Sequence, residues 1–348
     1  MQIAKLPRVQ LASLPTPLQP MPRLTEKLGG PQLYIKRDDL TGLAFGGNKL
    51  RKLEFLLGDA RAKNADIILS GIQGFQSNHL CQTAAAAKKL GMDVLLIKTG
   101  PNNDYDPPEY DGNHLLQFML GAEIRVYRPE HAPQLEDIAN ELRDQGRVPY
   151  IISQAGSTPI GTIGYANTIR ELLDQTTQMG IHADYIIHAT GSGGTQAGLV
   201  LGAKALNTGI KVLGMSVTDP SRTATSIQRV TTLALSAAKL LDIPLSLDTN
   251  DVKIFDDYAQ KGYGVVDKNK ILAIQLLAQT EGIFVDPVYT GTAMAGLVDL
   301  IHKGYLTKEH RVIFLHTGGA VALFPYRNPI ISILKRDRPS WITPPWSS

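Results

Sequence analysis

Short apolar runs alternate along the chain with longer stretches in which apolar and polar residues mix at helical spacing. Asp66–Ser70 (DIILS), Asp93–Lys98 (DVLLIK), Glu123–Tyr127, Tyr150–Ser153, Asp184–Ala189, Lys211–Val217 and Val312–His316 read as strands. His79–Leu90 (HLCQTAAAAKKL) is rich in alanine and predicts a helix. Helical stretches of roughly ten to sixteen residues separate most of the strands. The alternation predicts an α/β fold built from open parallel sheets with helices on both faces. Right-handed crossovers follow, with ligands placed beyond the carboxyl ends of the strands. Two stretches break the rhythm. Pro101–Gly112 (PNNDYDPPEYDG) is turn-rich and predicts a long loop, and Arg336–Ser348 reads as a surface tail.

Composition narrows this picture. With 348 residues, 43% of them hydrophobic, the chain exceeds what one core usually serves, and two domains are expected. Lys plus Arg is 35 and Asp plus Glu is 32, so the formal charge is only +3. That balance gives no electrostatic case for nucleic acid. No run of apolar residues is long enough to span a membrane, and the first residues lack a secretory apolar core. Cys81 is the single cysteine, which excludes an intramolecular disulfide and a multi-thiolate zinc site. A cytoplasmic protein is the expectation.

Several stretches could carry chemistry. Gly191-Ser192-Gly193-Gly194-Thr195 follows a strand and opens a helical stretch. Glycines permit close backbone approach, and the N–H groups of a helix start favour an anion. The loop has neither the Walker pattern nor dinucleotide spacing, so it reads as a phosphate cradle without a dinucleotide, or as a plain glycine-rich turn. In Phe45-Gly46-Gly47-Asn48-Lys49-Leu50-Arg51-Lys52, the glycines leave room beside Lys49. Arg51 and Lys52 could lower the Lys49 pKa and make it a nucleophile. Taken alone, a lysine among basic neighbours is ordinarily solvated. Gln76-Ser77-Asn78-His79 lies between a strand and a helix, where Ser77 and Asn78 serve equally as caps or as ligand groups. Gly262-Tyr263-Gly264, Asp286-Pro287-Val288-Tyr289-Thr290-Gly291 and His316-Thr317-Gly318-Gly319 are further candidates. The remaining histidines show no metal-ligand spacing, and no catalytic metal is expected.

Together these stretches resemble, in order and over nearly the whole chain, the D-cysteine desulfhydrase and 1-aminocyclopropane-1-carboxylate (ACC) deaminase family. That family lies within the tryptophan-synthase-β-like, fold-type II pyridoxal-phosphate enzymes. Thr16-Pro17-Leu18 and Pro22-Arg23-Leu24 resemble its start. Its most specific signature is matched by Lys36-Arg37-Asp38-Asp39-Leu40-Thr41 followed by Gly46-Gly47-Asn48-Lys49-Leu50-Arg51-Lys52-Leu53-Glu54. Ser77-Asn78, Gly191–Thr195, Asp286–Tyr289 and Gly318-Gly319 complete the order.

The resemblance implies two α/β domains, a small one at 52–165 inserted in a large one at 1–51 and 166–348, with pyridoxal phosphate in the cleft between them. It implies a homodimer and a small amino-acid substrate. Lys49 would form the Schiff base and later move the Cα proton. Asn78 would bond the ring hydroxyl, and Gly191, Ser192, Gly193, Gly194 and Thr195 the phosphate. Ser77 and His79 would face the substrate beside Asn78, with Ser77 near its carboxylate. Tyr263 and Tyr289 would line the reacting side.

His79 and Thr290 stand where ACC deaminases have Gln and Glu, as in the desulfhydrase branch. A carboxylate facing the pyridine nitrogen deepens the electron sink, and a hydroxyl from Thr290 or Thr317 does so far less. Opening a cyclopropane needs strong help, whereas expelling a β-thiolate needs less. The resemblance therefore implies α,β-elimination of D-cysteine to pyruvate, ammonia and sulfide. The alternatives are ACC deaminase, a lyase for L-cysteate or another β-substituted amino acid, and a non-catalytic phosphate-ligand-binding protein. Cys81 and Thr292 depart from the branch, which has Arg and commonly Lys there.

Overall fold

The computed structural model describes residues 3–100, 108–259 and 262–336. The strands are β1 (Leu18–Pro20), β2 (Gln32–Lys36), β3 (Ile67–Gln73), β4 (Asp93–Thr99), β5 (Glu123–Tyr127), β6 (Pro149–Ile152), β7 (Tyr185–Thr190), β8 (Lys211–Ser216), β9 (Lys253–Phe255) and β10 (Arg311–Leu315). The helices are α1 (Pro22–Leu28), α2 (Lys49–Ala62), α3 (Asn78–Lys89), α4 (Gly112–Met119), α5 (Leu135–Asp144), α6 (Pro159–Gln178), α7 (Gly194–Ala205), α8 (Thr223–Leu240), α9 (Lys268–Glu281), α10 (Thr290–His302) and α11 (Arg327–Arg336).

Two sheets form. A four-stranded sheet runs β5-β4-β3-β6, with every pair parallel. A six-stranded sheet runs β1-β2-β10-β7-β8-β9 and is parallel except for the β1–β2 pair. Seven expected strands are present, six of them within one residue of their expected ends, while β3 runs three residues past Ser70 to Gln73. Three were not anticipated: β1 and β9 are too short for a period to show, and β2 ends on a lysine. Of the expected loop, residues 101–107 lie outside the described residues, and Gly112 already begins α4. The expected tail lies outside them beyond Arg336.

The apolar runs are continuous because both faces of each sheet are covered. In β4, Val94 and Leu96 pack with α2 and α3, while Leu95 and Ile97 pack with Ile138, Ala139 and Leu142 of α5. In β10, Val312 and Phe314 face the core shared with α9 and α10, while Ile313 and Leu315 face Tyr165, Ile169 and Leu172 of α6. Strand alternation thus splits one apolar run between two cores. The N-terminal segment packs into the four-stranded side through Leu11 and Ala12. Their N–H groups donate to Glu54 Oε1 at 3.0 and 2.9 Å, and Arg8 holds Glu54 Oε2. Among the described residues, no helix is long and apolar enough to cross a membrane.

A buried ion network ties the six-stranded sheet to α2 and α6. Arg51 donates to both Asp38 oxygens at 2.8 Å and to Glu171 at 2.8 and 2.9 Å. Lys36 reaches Glu171, Gln175 and the Thr16 carbonyl at 2.5–2.6 Å, and Tyr165 donates to Asp38 at 2.6 Å. Burial opposes the Asp38 charge, but the Arg51 guanidinium beside it prevails and holds the carboxyl below its usual range. Removing one partner strands the others without compensation. Arg51→Ala is expected to destabilise the fold by roughly 3–5 kcal/mol, read as a lower urea midpoint. A change under about 1 kcal/mol, the surface-pair range, would show the network to be structurally idle.

Candidate active site

The strand ends of both sheets converge on one cavity of about 340 Å³. The four-stranded sheet contributes Gln73 at the end of β3, Gly74 just after it, and Thr99 at the end of β4. The six-stranded sheet contributes Thr190 at the end of β7 with Gly191–Gly193 after it, Val217 and Thr218 after β8, and Thr317 after β10. Lys49 and Asn78 enter from the first positions of α2 and α3. No Asp or Glu lines the cavity among the described residues, whereas Lys49 and Arg229 do. The site therefore favours anions.

Lys49 is half-buried on the cavity wall, and its amine donates to Asn48 Oδ1 at 3.1 Å. Desolvation lowers its pKa to about 8, against the attraction of the Asp286 carboxylate. The expectation that Arg51 and Lys52 would drive this shift needs correction. Arg51 points away into the ion network, and burial is the main cause. Lys52 is fully buried and has no carboxylate partner among the described residues. Burial first, and then the Lys49 charge, hold it well below the usual lysine range.

The Gly191–Thr195 loop brings a left-handed Gly193 (φ +88°) to the N-cap of α7, where it has no side chain to cap the helix. Behind Gly194, the next N–H groups of the helix start are left for a ligand. Thr195 Oγ1 accepts from Asn48 Nδ2 at 3.0 Å, so its own proton is available. Gly191, Ser192, Gly193 and Thr195 line the cavity. Gly194 does not, because its N–H donates inward to Ser157 Oγ at 3.1 Å.

Asn78 Oδ1 accepts from Asn113 at 2.6 Å, which leaves the amide N–H group facing the site. Ser77 caps α3: its hydroxyl accepts from the Leu80 N–H at 3.2 Å and donates to Gln73 at 2.9 Å. His79 reaches the wall, but its ring nitrogens are occupied by Ser70 at 3.1 Å and Thr83 at 3.4 Å. Ser70 spends its proton on the Ile152 carbonyl, so His79 Nε2 is the donor and the ring is neutral. Tyr263 and Tyr289 line the cavity with their phenol oxygens in direct hydrogen-bond contact. Burial and its neighbour Tyr263 push the Tyr289 pKa well above the usual value, so it keeps its proton.

Two further positions differ from expectation. Thr290 does not line the cavity: its hydroxyl donates to Asp286 Oδ1 at 2.6 Å and accepts the Asp286 N–H at 2.8 Å. The start of α10 consumes it, while Thr317, whose hydroxyl has no partner among the described residues, does line the cavity. Cys81 and Thr292 are buried in their helices and also lie outside the lining. Burial pushes the Cys81 thiol up to about 12, which leaves it inert. Asn48, Lys52, Ser157 and Arg229 were missed as site residues. Asn48 and Lys52 stood in the Lys49 motif, but nothing local marked Ser157 or Arg229.

The donor set fits pyridoxal phosphate: an amine for the aldehyde, a glycine loop at a helix start for the phosphate, an amide for the ring hydroxyl and a threonine hydroxyl for the ring nitrogen. A direct test precedes any assay. In the ligand-free protein, cyanate should carbamoylate Lys49 with a pH midpoint near 8, followed by peptide mass analysis. A midpoint near the ordinary lysine value of roughly 10.4 would refute the desolvated amine.

The family model described as pyridoxal-phosphate dependent enzyme matches residues 9–318. A Pyrococcus furiosus protein provisionally named 1-aminocyclopropane-1-carboxylate deaminase is 40% identical over 95% of this chain and 98% of its own. A Salmonella schwarzengrund protein named D-cysteine desulfhydrase is 38% identical over 93% of this chain and 97% of its own. A crystal structure of an ACC deaminase homologue superposes with a TM-score of 0.86 at 40% identity, covering 95% of this chain and 97% of that one. O-ureido-L-serine synthase, at a TM-score of 0.64 and 16% identity, shares the fold. The chain belongs to the pyridoxal-phosphate dependent enzymes of fold-type II, within the group that holds the ACC deaminases and D-cysteine desulfhydrases.

Proposed function

We propose that this enzyme is a carbon–sulfur lyase that converts D-cysteine and water to pyruvate, ammonia and hydrogen sulfide. The observation that carries the reading is the absence of any carboxylate from the cavity lining among the described residues. The group offered to the ring nitrogen is then a neutral hydroxyl, Thr317. A weaker electron sink suits a substrate whose β-substituent leaves readily as a thiolate. It suits the strained but unactivated ring of ACC less well.

In this reading Lys49 holds the cofactor, Asn78 its ring hydroxyl, Thr317 its ring nitrogen, and Gly191, Ser192, Gly193 and Thr195 its phosphate. Bound there, pyridoxal phosphate supplies an aldehyde for the amine and a ring that takes up the electron pair left at Cα. The substrate carboxylate lies at the start of α3, where the helix dipole and leading N–H groups favour it. Ser77 fixes that helix start through its cap bond. Lys49 Nζ removes the Cα proton, and its lowered pKa leaves more of the amine free near neutral pH than an ordinary lysine would have. Tyr289, protonated and paired with Tyr263, hands a proton to the departing sulfur. His79 acts from behind, holding α3 rather than touching substrate. The β3–β6 sheet forms the core of a small domain at 52–165.

Keto-acid release from D-cysteine, L-cysteine, ACC and L-cysteate decides the substrate. D-cysteine should give pyruvate and sulfide, and ACC should give no 2-oxobutanoate. 2-Oxobutanoate from ACC at a comparable rate would replace this reading with the deaminase, and sulfite from cysteate with a sulfo-lyase. Lys49→Ala should lose both the visible absorbance of the lysine-linked cofactor and at least about a thousandfold in turnover. Unchanged absorbance and turnover would sink the assignment of Lys49.

A further inference from the structure

Ser157 lies after β6, on the four-stranded side, and is 4% exposed. Its hydroxyl meets three groups. The Gly194 N–H donates to it at 3.1 Å, and the Lys52 ammonium or amine donates at 3.3 Å. Ser192 Oγ stands 2.7 Å away. A serine hydroxyl has two acceptor lone pairs and one proton. The backbone N–H cannot accept, so the Ser157 proton has two possible acceptors, Ser192 and Lys52. Ser192 Oγ at 2.7 Å is far closer than Lys52 Nζ at 3.3 Å, and the shorter contact directs the Ser157 proton to Ser192.

Ser192 then receives a hydrogen bond and keeps its own proton. It is half-buried on the cavity wall, and no group among the described residues accepts that proton. The approach is built into the backbone: a Cβ on Gly194 would sit 2.6 Å from Ser157 Oγ. Only glycine lets the two segments come this close.

We propose that Ser157 is a positioning residue of the phosphate cradle. It fixes the donor direction of Ser192, so that the Ser192 proton points at the cofactor phosphate. Gly194 serves the cradle indirectly, by donating to Ser157. The relay also ties a loop of the six-stranded sheet to a segment that follows the four-stranded one, so phosphate binding draws on both. The proposal rests on Gly191–Thr195 holding the cofactor phosphate.

The test is a cycle of cofactor affinities. Holoenzyme is stripped of cofactor and titrated with pyridoxal phosphate, with the dissociation constant read from absorbance. Ser192→Ala and Ser157→Ala should each weaken binding about tenfold, the worth of one phosphate-directed hydrogen bond. The double variant should be no more than about threefold worse than either single one, because the two residues act as one unit. Ser157→Cys keeps the size but is a weak donor and acceptor, so it should lose nearly as much and serves if the alanine variant does not fold.

Two results overturn the relay while leaving the cradle standing. In one, Ser192→Ala weakens binding but neither Ser157 variant does. In the other, the two single losses multiply in the double variant. If Ser192→Ala leaves affinity unchanged, the cradle reading itself fails and the relay with it.

Discussion

The buried pairing of Arg51 with Asp38 and Glu171, extended by Lys36, is the constraint on which the site depends. It joins the end of β2, the first turn of α2 and the middle of α6. Lys49 is the first residue of α2, two positions before Arg51. The place of its amine is thus set by ion pairs on the far side of the same helical turn. Desolvating so many charges offsets much of their attraction, so the network specifies one arrangement more than it adds stability. The hydrogen bonds from Tyr165 and Thr16 to Asp38 help to satisfy the oxygens that would otherwise be stranded.

The cavity inverts that logic. The network balances its charges, whereas the lining offers cations and neutral donors without a carboxylate among the described residues. Lys52, buried without a carboxylate partner among the described residues, adds a further basic group beneath the glycine loop. An anionic cofactor and an anionic substrate complete the site electrostatically. Asp286 is buried but shut off, since its oxygens accept from the N–H groups of Val288, Tyr289 and Thr290 and from the Thr290 hydroxyl. It acts on Lys49 only through space, and the desolvation of Lys49 outweighs it.

The two sheets divide the work. The six-stranded sheet supplies the glycine loop and Thr317, and the segments leading into α2 and α3 supply Lys49 and Asn78. Hydrogen bonds cross between the segments, from Asn48 to Thr195, from the Gly194 N–H to Ser157, and between Ser157 and Ser192. A cavity built this way is sensitive to how the two cores meet. Glycine is required at such crossings, and Gly194 against Ser157 is the clearest instance.

Periodicity alone determined the α/β class and seven strands, because a strand covered on both faces needs an unbroken apolar run of its own length. Order and spacing of motifs determined the family, the cofactor and half of the residues that line the cavity. Local chemistry could not determine the state of Lys49, which among basic neighbours looked solvated. Desolvation is a property of what packs around a group, and only the fold removed the water. The same reason separates Thr290 from Thr317. Both are hydroxyls in glycine-rich motifs, yet one is consumed by Asp286 at a helix start and the other faces the cavity. Ser157 was invisible in the chain because its meaning lies in a contact 35 residues away, with Ser192. Hydrogen-bond direction depends on every neighbour at once, and tertiary structure alone supplies them.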